Sequence, residues 1–208
     1  MIFYLKPAVM TIFIPTIIII AAIVLLLLLI LWLYDFLLGG EDYFTPQKAL
    51  DQINKIIADN KCEKSIIYDL GSCRGHFVFS LLDKYPEMRA VGIDNSFVRT
   101  SIARLRSNFH KGNAKFLKRD IFDINISAAD LVYIYLPQEL LARLETKLNT
   151  ELKPGALVIT YRVQFSNWRP EKIIALDTAP LTREKIYLYN APRERPAVLP
   201  WGGVHRKN

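Results

Sequence analysis

Residues 11–34 contain no charged side chain, and residues 17–33 are Ile, Leu, Val and Ala throughout except for Trp32. This stretch of 24 residues makes about 36 Å of helix at about 1.5 Å per residue, enough to cross the hydrocarbon core of a bilayer. Trp32 and Tyr34 stand at one end, where amphipathic rings favour the water interface. Pro15 stands near the other, where a kink is peripheral. A cleaved signal peptide would have a shorter apolar run and a small-residue cleavage site after it. A soluble core helix so uniformly aliphatic would need a far larger protein around it. The expectation is a retained, single-pass anchor over residues 1–40, a globular domain over residues 41–191, and a basic, Pro- and Gly-rich tail over residues 192–208.

The chain of 208 residues has a net charge of +7. From Ala156 onward nine bases face four acids, so +5 of that charge lies in the last quarter. Such a region suits anionic head groups or an acidic partner, and equally a solvated surface. Cys62 and Cys73 have no Cys or His at ligand spacing, so neither a metal site nor a disulfide framework is expected. The absence of disulfide patterning weakly favours a reducing compartment.

Beyond the apolar run, residues 45–60 read as an amphipathic helix, with Thr45 as N-cap, Pro46 at the first helical position and Ala49, Leu50, Ile53, Ile56 and Ile57 on one face. Strands at 65–70, 89–94, 114–117, 130–135 and 156–161 then alternate with helices at 75–84, 96–110 and 138–148. That order implies a mostly parallel sheet with helices on both faces. Two further strands, 173–176 and 185–189, are separated by too few residues for a helical crossover and read as an antiparallel hairpin. A parallel sheet ending in such a hairpin resembles the α/β, Rossmann-like fold of class I, seven-strand methyltransferases.

The stretch 69-DLGSCRGH-76 follows the first strand of that sheet, at the carboxyl end where open α/β sheets bind ligands. Its spacing, D-x-G-x-C-x-G, places the third small residue one position too early for the dinucleotide pattern G-x-G-x-x-G, and no Lys-Ser/Thr follows for a phosphate loop. Asp94 ends the second strand, 19 residues after Gly75, where an acid accepts from ribose hydroxyls. Asp120 follows the third. The set resembles motif I and its downstream acids in S-adenosyl-L-methionine (SAM) methyltransferases, with Cys73 standing in for a glycine. The alternative for Cys73 is a small filler without chemistry, and for the loop a bare strand-to-helix turn.

Three more stretches, 43-YFTP-46, 131-LVYIYLPQELL-141 and 161-YRVQFSNWRP-170, sharpen the likeness. With the apolar segment before them, they resemble the membrane-associated protein lysine methyltransferases of mitochondria, which modify the c subunit of ATP synthase and the adenine nucleotide translocase, and their prokaryotic relatives. The resemblance covers roughly residues 43–180. It implies that Asp69, Gly71, Ser72 and Gly75 hold the methionine end of SAM, Asp94 with Asn95 the ribose, and Asp120 with Ile121 the adenine. Tyr135, Leu136 and Pro137 occupy the place of the D/N-P-P-Y segment of many amino-methyltransferases, without its Asp or Asn.

A neutral amine must attack the SAM methyl in line, shed of its proton and water shell. Aromatic rings suit that task, which makes Tyr135, Phe165 and Trp168 candidates; with Pro137, from the place of the D/N-P-P-Y segment, the expected catalytic set is Tyr135, Pro137 and Trp168. Core or lid packing is the competing role for each ring. The expected acceptor is a lysine of a membrane-embedded or membrane-proximal protein, the expected partners that protein and the bilayer, with no nucleic acid. The alternatives are methylation of RNA or a small lipid-like molecule, and a non-catalytic, membrane-bound binding module. The charges flanking the anchor weakly place the N-terminus in the cytoplasm. SAM is a cytosolic metabolite, and on that ground the catalytic domain is expected to face the cytoplasm.

Overall fold

The computed structural model describes residues 7–38, 44–176 and 184–192. The tail expected over residues 192–208 lies outside these, apart from Pro192. The chain divides into two compact units, Met1–Glu41 and Asp42–Asn208.

In the first unit, Pro7–Leu38 forms one helix, α1, with Pro15 inside it. Its stretch Phe13–Tyr34 has a mean hydropathy of 3.3, and none of its side chains is buried. By length and composition this helix can cross a membrane, and a helix satisfies its own backbone polar groups, as the bilayer core demands.

In the second unit, helix α2 (Gln47–Asp59) precedes the order β1 (Ile66–Leu70), α3 (His76–Lys84), β2 (Arg89–Asp94), α4 (Phe97–Ser107), β3 (Asn113–Lys118), β4 (Leu131–Ile134), α5 (Gln138–Glu151), β5 (Leu157–Tyr161), β6 (Lys172–Ala175) and β7 (Lys185–Asn190). These strands form a seven-stranded sheet in the order β3-β2-β1-β4-β5-β7-β6. The first five run parallel to their neighbours, while β7 is antiparallel to β5 and β6 to β7. The expected fold class, a mostly parallel sheet with an antiparallel C-terminal hairpin, is the one observed.

Two buried clusters flank the sheet. One joins α2 and α3 to Ile67, Tyr133, Ile159 and Tyr161. The other joins Leu141, Leu144 and Leu148 of α5 to Val132, Ile134, Val158 and Tyr189. Alternate residues of β4 and β5 thus feed opposite faces, which is why these strands read as continuous apolar runs.

Two local expectations change. Thr45 does not cap α2: Pro46 holds the cap position without a side-chain bond. The Thr45 hydroxyl is instead bonded to the buried Tyr133 hydroxyl at 2.8 Å, which ties the entry of α2 to the middle of the sheet. By contrast, Ser96 caps α4 as expected, accepting from Arg99 N–H. The crossover from β3 to β4 contains no helix. Asp120 and Asn125 accept from the N–H groups of Phe122 and Ser127, and these Asx turns shape the segment.

Candidate functional site

The loop between β1 and α3 owes its shape to three left-handed residues in alternation: Gly71 at φ +86°, Cys73 at +48° and Gly75 at +77°. That explains the sequence spacing, since glycine enters this region without penalty. The same glycines also make room for neighbours. A Cβ at Gly71 would lie 2.5 Å from Leu136 Cδ2, and one at Gly75 2.5 Å from Phe116 Cζ.

Main-chain bonds fasten this loop to the end of β2. Gly71 and Ser72 donate to the Ile93 carbonyl at 2.8 and 2.9 Å. Cys73 N–H donates to one carboxylate oxygen of Asp94 at 2.9 Å, and Ser96 N–H to the other at 2.8 Å. Arg119 N–H reaches the Asp94 carbonyl at 3.1 Å, which brings the end of β3 into the same edge. Asp94 is therefore held rigidly between the loops that follow β1, β2 and β3.

Asp69, the last but one residue of β1, is 3 % exposed. Burial first, and the charge of Asp94 second, push its carboxyl up to about 8. It faces a cleft, partly open to solvent, whose walls include Phe44, Gly71, Ser72, His76, Phe77 and Tyr135. The walls are strongly aromatic. Phe77 stacks on Tyr133 at 3.8 Å between centroids, and Phe44 meets His76 edge-on at 5.6 Å. Burial, the dominant cause, raises the Tyr133 phenol well above its ordinary range, so it stays a neutral hydrogen-bonding group.

Tyr135 is held from two sides. Its ring packs edge-on against Tyr161 at 4.8 Å, and its hydroxyl accepts from the Arg162 guanidinium at 3.2 Å. The Tyr161 hydroxyl in turn donates to Glu184; burial first, and this bond second, raise the Tyr161 phenol. Arg162 is left-handed, at φ +67°, which a non-glycine residue adopts only against a steric cost.

The sequence-derived candidates thus fall into three groups. Asp69, Gly71, Ser72 and Tyr135 line the cleft, and Gly75 ends the loop as the N-cap of α3. Asp94, Asn95, Asp120 and Ile121 lie along the ends of β2 and β3. Asn95 and Asp120 are exposed there, whereas the Ile121 side chain is packed into the α5-side core. Pro137 is exposed as the N-cap of α5. Trp168 is not among the cleft-lining residues. It packs with Phe165 at 5.5 Å and Tyr189 at 5.2 Å against the α5-side cluster, while Tyr135 packs against the opposite one. The role that fits Trp168 here is support for the segment after β5. The same segment is pinned by the Glu145 carboxylate accepting from Asn167 N–H and by Tyr189 Oη accepting from Phe165 N–H.

Sequence reasoning gives no role in the site to Phe44, Thr45, His76, Phe77 or Tyr133. The signal for the first two is present in 43-YFTP-46, whose residues also mark the start of a helix. His76, Phe77 and Tyr133 look like ordinary helix and strand residues. Among the described residues no group of His, Cys, Asp or Glu could hold a metal ion, and neither cysteine forms a disulfide.

The family model for the ANTKMT methyltransferase domain matches residues 69–172. A protein-lysine N-methyltransferase of Saccharolobus islandicus is 27% identical over 147 residues, covering 70% of this chain and 89% of that protein. A Homo sapiens lysine N-methyltransferase, named for the c subunit of ATP synthase, is 29% identical over 125 residues, covering 59% of this chain and 52% of its own, so the chain spans about half of that relative. Among solved structures, an RNA methyltransferase from Salinibacter ruber in complex with S-adenosyl-L-homocysteine superposes with a TM-score of 0.66 at 25% identity, covering 76% of this chain and 99% of that one. The magnesium protoporphyrin IX methyltransferase of Synechocystis, with bound SAM, shares the fold at a TM-score of 0.53 and 14% identity.

Proposed function

The chain belongs to the ANTKMT methyltransferase domain family, a family of SAM-dependent methyltransferases, and we propose that its acceptor is a lysine ε-amine on a membrane-embedded or membrane-proximal protein. In this reading residues 1–40 are a single-pass anchor, residues 41–191 the catalytic domain, facing the cytoplasm where SAM is made, and residues 192–208 a basic tail.

The residues present fit SAM. The buried Asp69 carboxyl feels burial and the negative charge of Asp94, both of which favour a bound cation such as the α-ammonium of methionine. The left-handed loop and the fixed Asp94 frame the space beside it. When bound, SAM supplies an electrophilic methyl on a sulfonium centre. Asp69, Gly71, Ser72 and Gly75 would hold its methionine end, Asp94 with Asn95 its ribose, and Asp120 with the Ile121 backbone its adenine.

One observation carries the lysine reading: the Asp69 loop opens on a cleft walled by Phe44, Phe77, Tyr133 and Tyr135, and among the described residues Asp69 is the one carboxylate on its walls. Such walls exclude water and accept the methylene stem of a lysine. The Arg162 guanidinium beside Tyr135 disfavours a second cation, which eases loss of the ammonium proton. Tyr135 is the side chain placed to orient the free amine.

The test is to incubate the purified full chain and labelled SAM with membranes of cells lacking the protein. Methyl-lysine is expected in a membrane-protein peptide. Label in RNA and none in protein would sink the lysine reading. That second acceptor class has one observation in its favour, the Salinibacter ruber RNA methyltransferase that this chain covers almost end to end. Protease protection of the catalytic domain in sealed vesicles of known orientation tests the topology.

A further inference from the structure

Between Asp94 and Asp120 the sequence contains no acidic residue and seven bases. The remaining 20 of the 27 Lys and Arg match the 20 Asp and Glu, so the α4–β3 unit alone carries a charge equal to the net +7 of the whole chain. Of the seven only Arg99 is buried; Arg104, Lys111, Lys115 and Lys118 are exposed. Arg106 is exposed as well, and it donates to the Arg74 carbonyl at 3.0 Å and lies over the Phe79 ring at 4.5 Å. Among the described residues, Asp83 reaches this surface by pairing with His110 at 3.0 Å, and no carboxylate pairs with Lys111, Lys115 or Lys118.

The same unit exposes large apolar side chains. Phe97 is 58 % exposed, Leu105 61 % and Phe109 84 %. Phe97, Ser101 and Leu105 follow one another at i, i+4 and i+8 on the outward face of α4. Helix and strand together form a shallow, open groove whose lining includes Arg104, Leu105, Ala114 and Lys115. Strand β3 is the edge of the sheet. Lysines alone on an edge strand are a device against aggregation. Exposed Phe and Leu beside them work against that purpose and need a different account.

We propose that this α4–β3 edge is a docking surface for an anionic phospholipid bilayer. Bases facing head groups, with Phe and Leu entering the boundary between head groups and acyl chains, are the pattern of interfacial membrane binding. Connectivity favours a bilayer over other acidic surfaces. The segment 39–46 is all that separates the end of α1 from the start of α2, so a spanning α1 keeps the catalytic unit at high local lipid concentration. The inference rests on the anchor proposed above. Its consequence is a catalytic unit with a preferred orientation at the membrane.

The test uses the full chain reconstituted in nanodiscs, either of phosphatidylcholine alone or with about 30 mol % phosphatidylglycerol, and reads amide exchange by mass spectrometry. Peptides within residues 97–118 are expected to exchange more slowly only in the anionic discs. The triple variant Lys111→Gln, Lys115→Gln, Lys118→Gln should lose that protection, because each base near an anionic surface contributes roughly a fivefold factor, or roughly a hundredfold for three. Phe109→Ser should weaken it while leaving its salt dependence intact. Equal exchange in the two kinds of disc would overturn the proposal. So would protection conferred by single-stranded RNA in neutral discs that equals or exceeds the protection seen in anionic discs without RNA, which would make the surface a nucleic-acid site. Anchoring is read separately: extraction of the full chain from membranes by alkaline carbonate would remove the anchor without deciding what the α4–β3 edge binds.

Discussion

Around Gly71, Cys73 and Gly75 the cleft is shaped by the main chain, whereas around Tyr135 and Arg162 it is shaped by side chains. On the first side, three left-handed residues and five backbone N–H bonds to Ile93 and Asp94 leave little freedom. On the second, a ring contact and a bond from an exposed guanidinium help to steady one phenol. The Salinibacter ruber and Synechocystis structures hold S-adenosyl-L-homocysteine and SAM while the acceptors in their names differ, and a side-chain wall is easier to change than a backbone turn. Substitutions on the backbone side should therefore be close to all-or-none, and those on the side-chain side graded.

The largest effect is expected at Gly75. A valine there would need a left-handed β-branched residue and a Cβ 2.5 Å from Phe116 Cζ and 2.9 Å from Phe79 Cε2. Strain and overpacking together should cost about 3 kcal/mol or more, and SAM binding should fall below detection. Calorimetric titration with SAM, alongside thermal unfolding, checks both. A Gly75→Val protein that bound SAM normally would show that the loop is more plastic than its backbone bonds imply.

Asp69→Asn comes next. Removing one member of a buried charge pair costs about 2–5 kcal/mol, so SAM affinity should drop about thirtyfold or more. The pH behaviour gives a second readout. In the free enzyme the carboxyl is raised from 3.8 to about 8, so its contribution to stability is fully present below about pH 4 and lost as pH rises through about 8. Asp69→Asn should flatten that decline. Binding a cation next to Asp69 must expel its proton, so wild-type binding near pH 6.5 should release close to one proton per SAM. Titrations in buffers of different ionisation enthalpy measure that release, and a zero result would mean that the methionine ammonium goes elsewhere.

Smaller, graded effects are expected across the cleft. Tyr135→Phe removes the hydroxyl but keeps the ring against Tyr161, and should lower kcat about tenfold with little change in the KM for SAM. Arg162→Gly separates two influences at one position. It relieves the left-handed strain, which should raise stability by about 1 kcal/mol, and frees Tyr135, which should lower kcat to a similar degree as Tyr135→Phe. If Arg162→Gly were stable and fully active, the bond to Tyr135 would have no part in orienting the acceptor.

The same division decides what can be read from the sequence. The fold and the Asp69, Asp94 and Gly71 positions are legible because strand–helix alternation and left-handed turns restrict residue type locally. The acceptor wall is not. Tyr133 and Phe77 come from a strand and a helix whose apolar periodicity is satisfied equally by core packing; the register of β1 against β4 sets Tyr133 beside Asp69, and Phe77 joins it by stacking on the Tyr133 ring. Trp168 fails in the opposite direction. An aromatic residue after β5 matches the expected place for an acceptor wall, but the Glu145–Asn167 bonds hold this segment so that Trp168 packs on Phe165 and Tyr189. Thr45 loses its capping role because a buried phenol competes for its hydroxyl.

Cys73 is where the backbone side should prove most tolerant. At φ +48° it stands in the position that a third glycine would fill, and an L residue there costs about 1–2 kcal/mol. Its N–H bonds to Asp94, and a glycine would keep that bond. Cys73→Gly should therefore raise stability by about 1 kcal/mol while changing SAM affinity by no more than about twofold, since greater freedom of the unbound loop opposes the relief of strain. Thermal unfolding and a SAM titration on the same preparation check the two halves. A clear loss of affinity would mean that the Cys73 side chain contacts the cofactor. Unchanged stability would mean that the surrounding bonds, rather than residue type, set the left-handed turn.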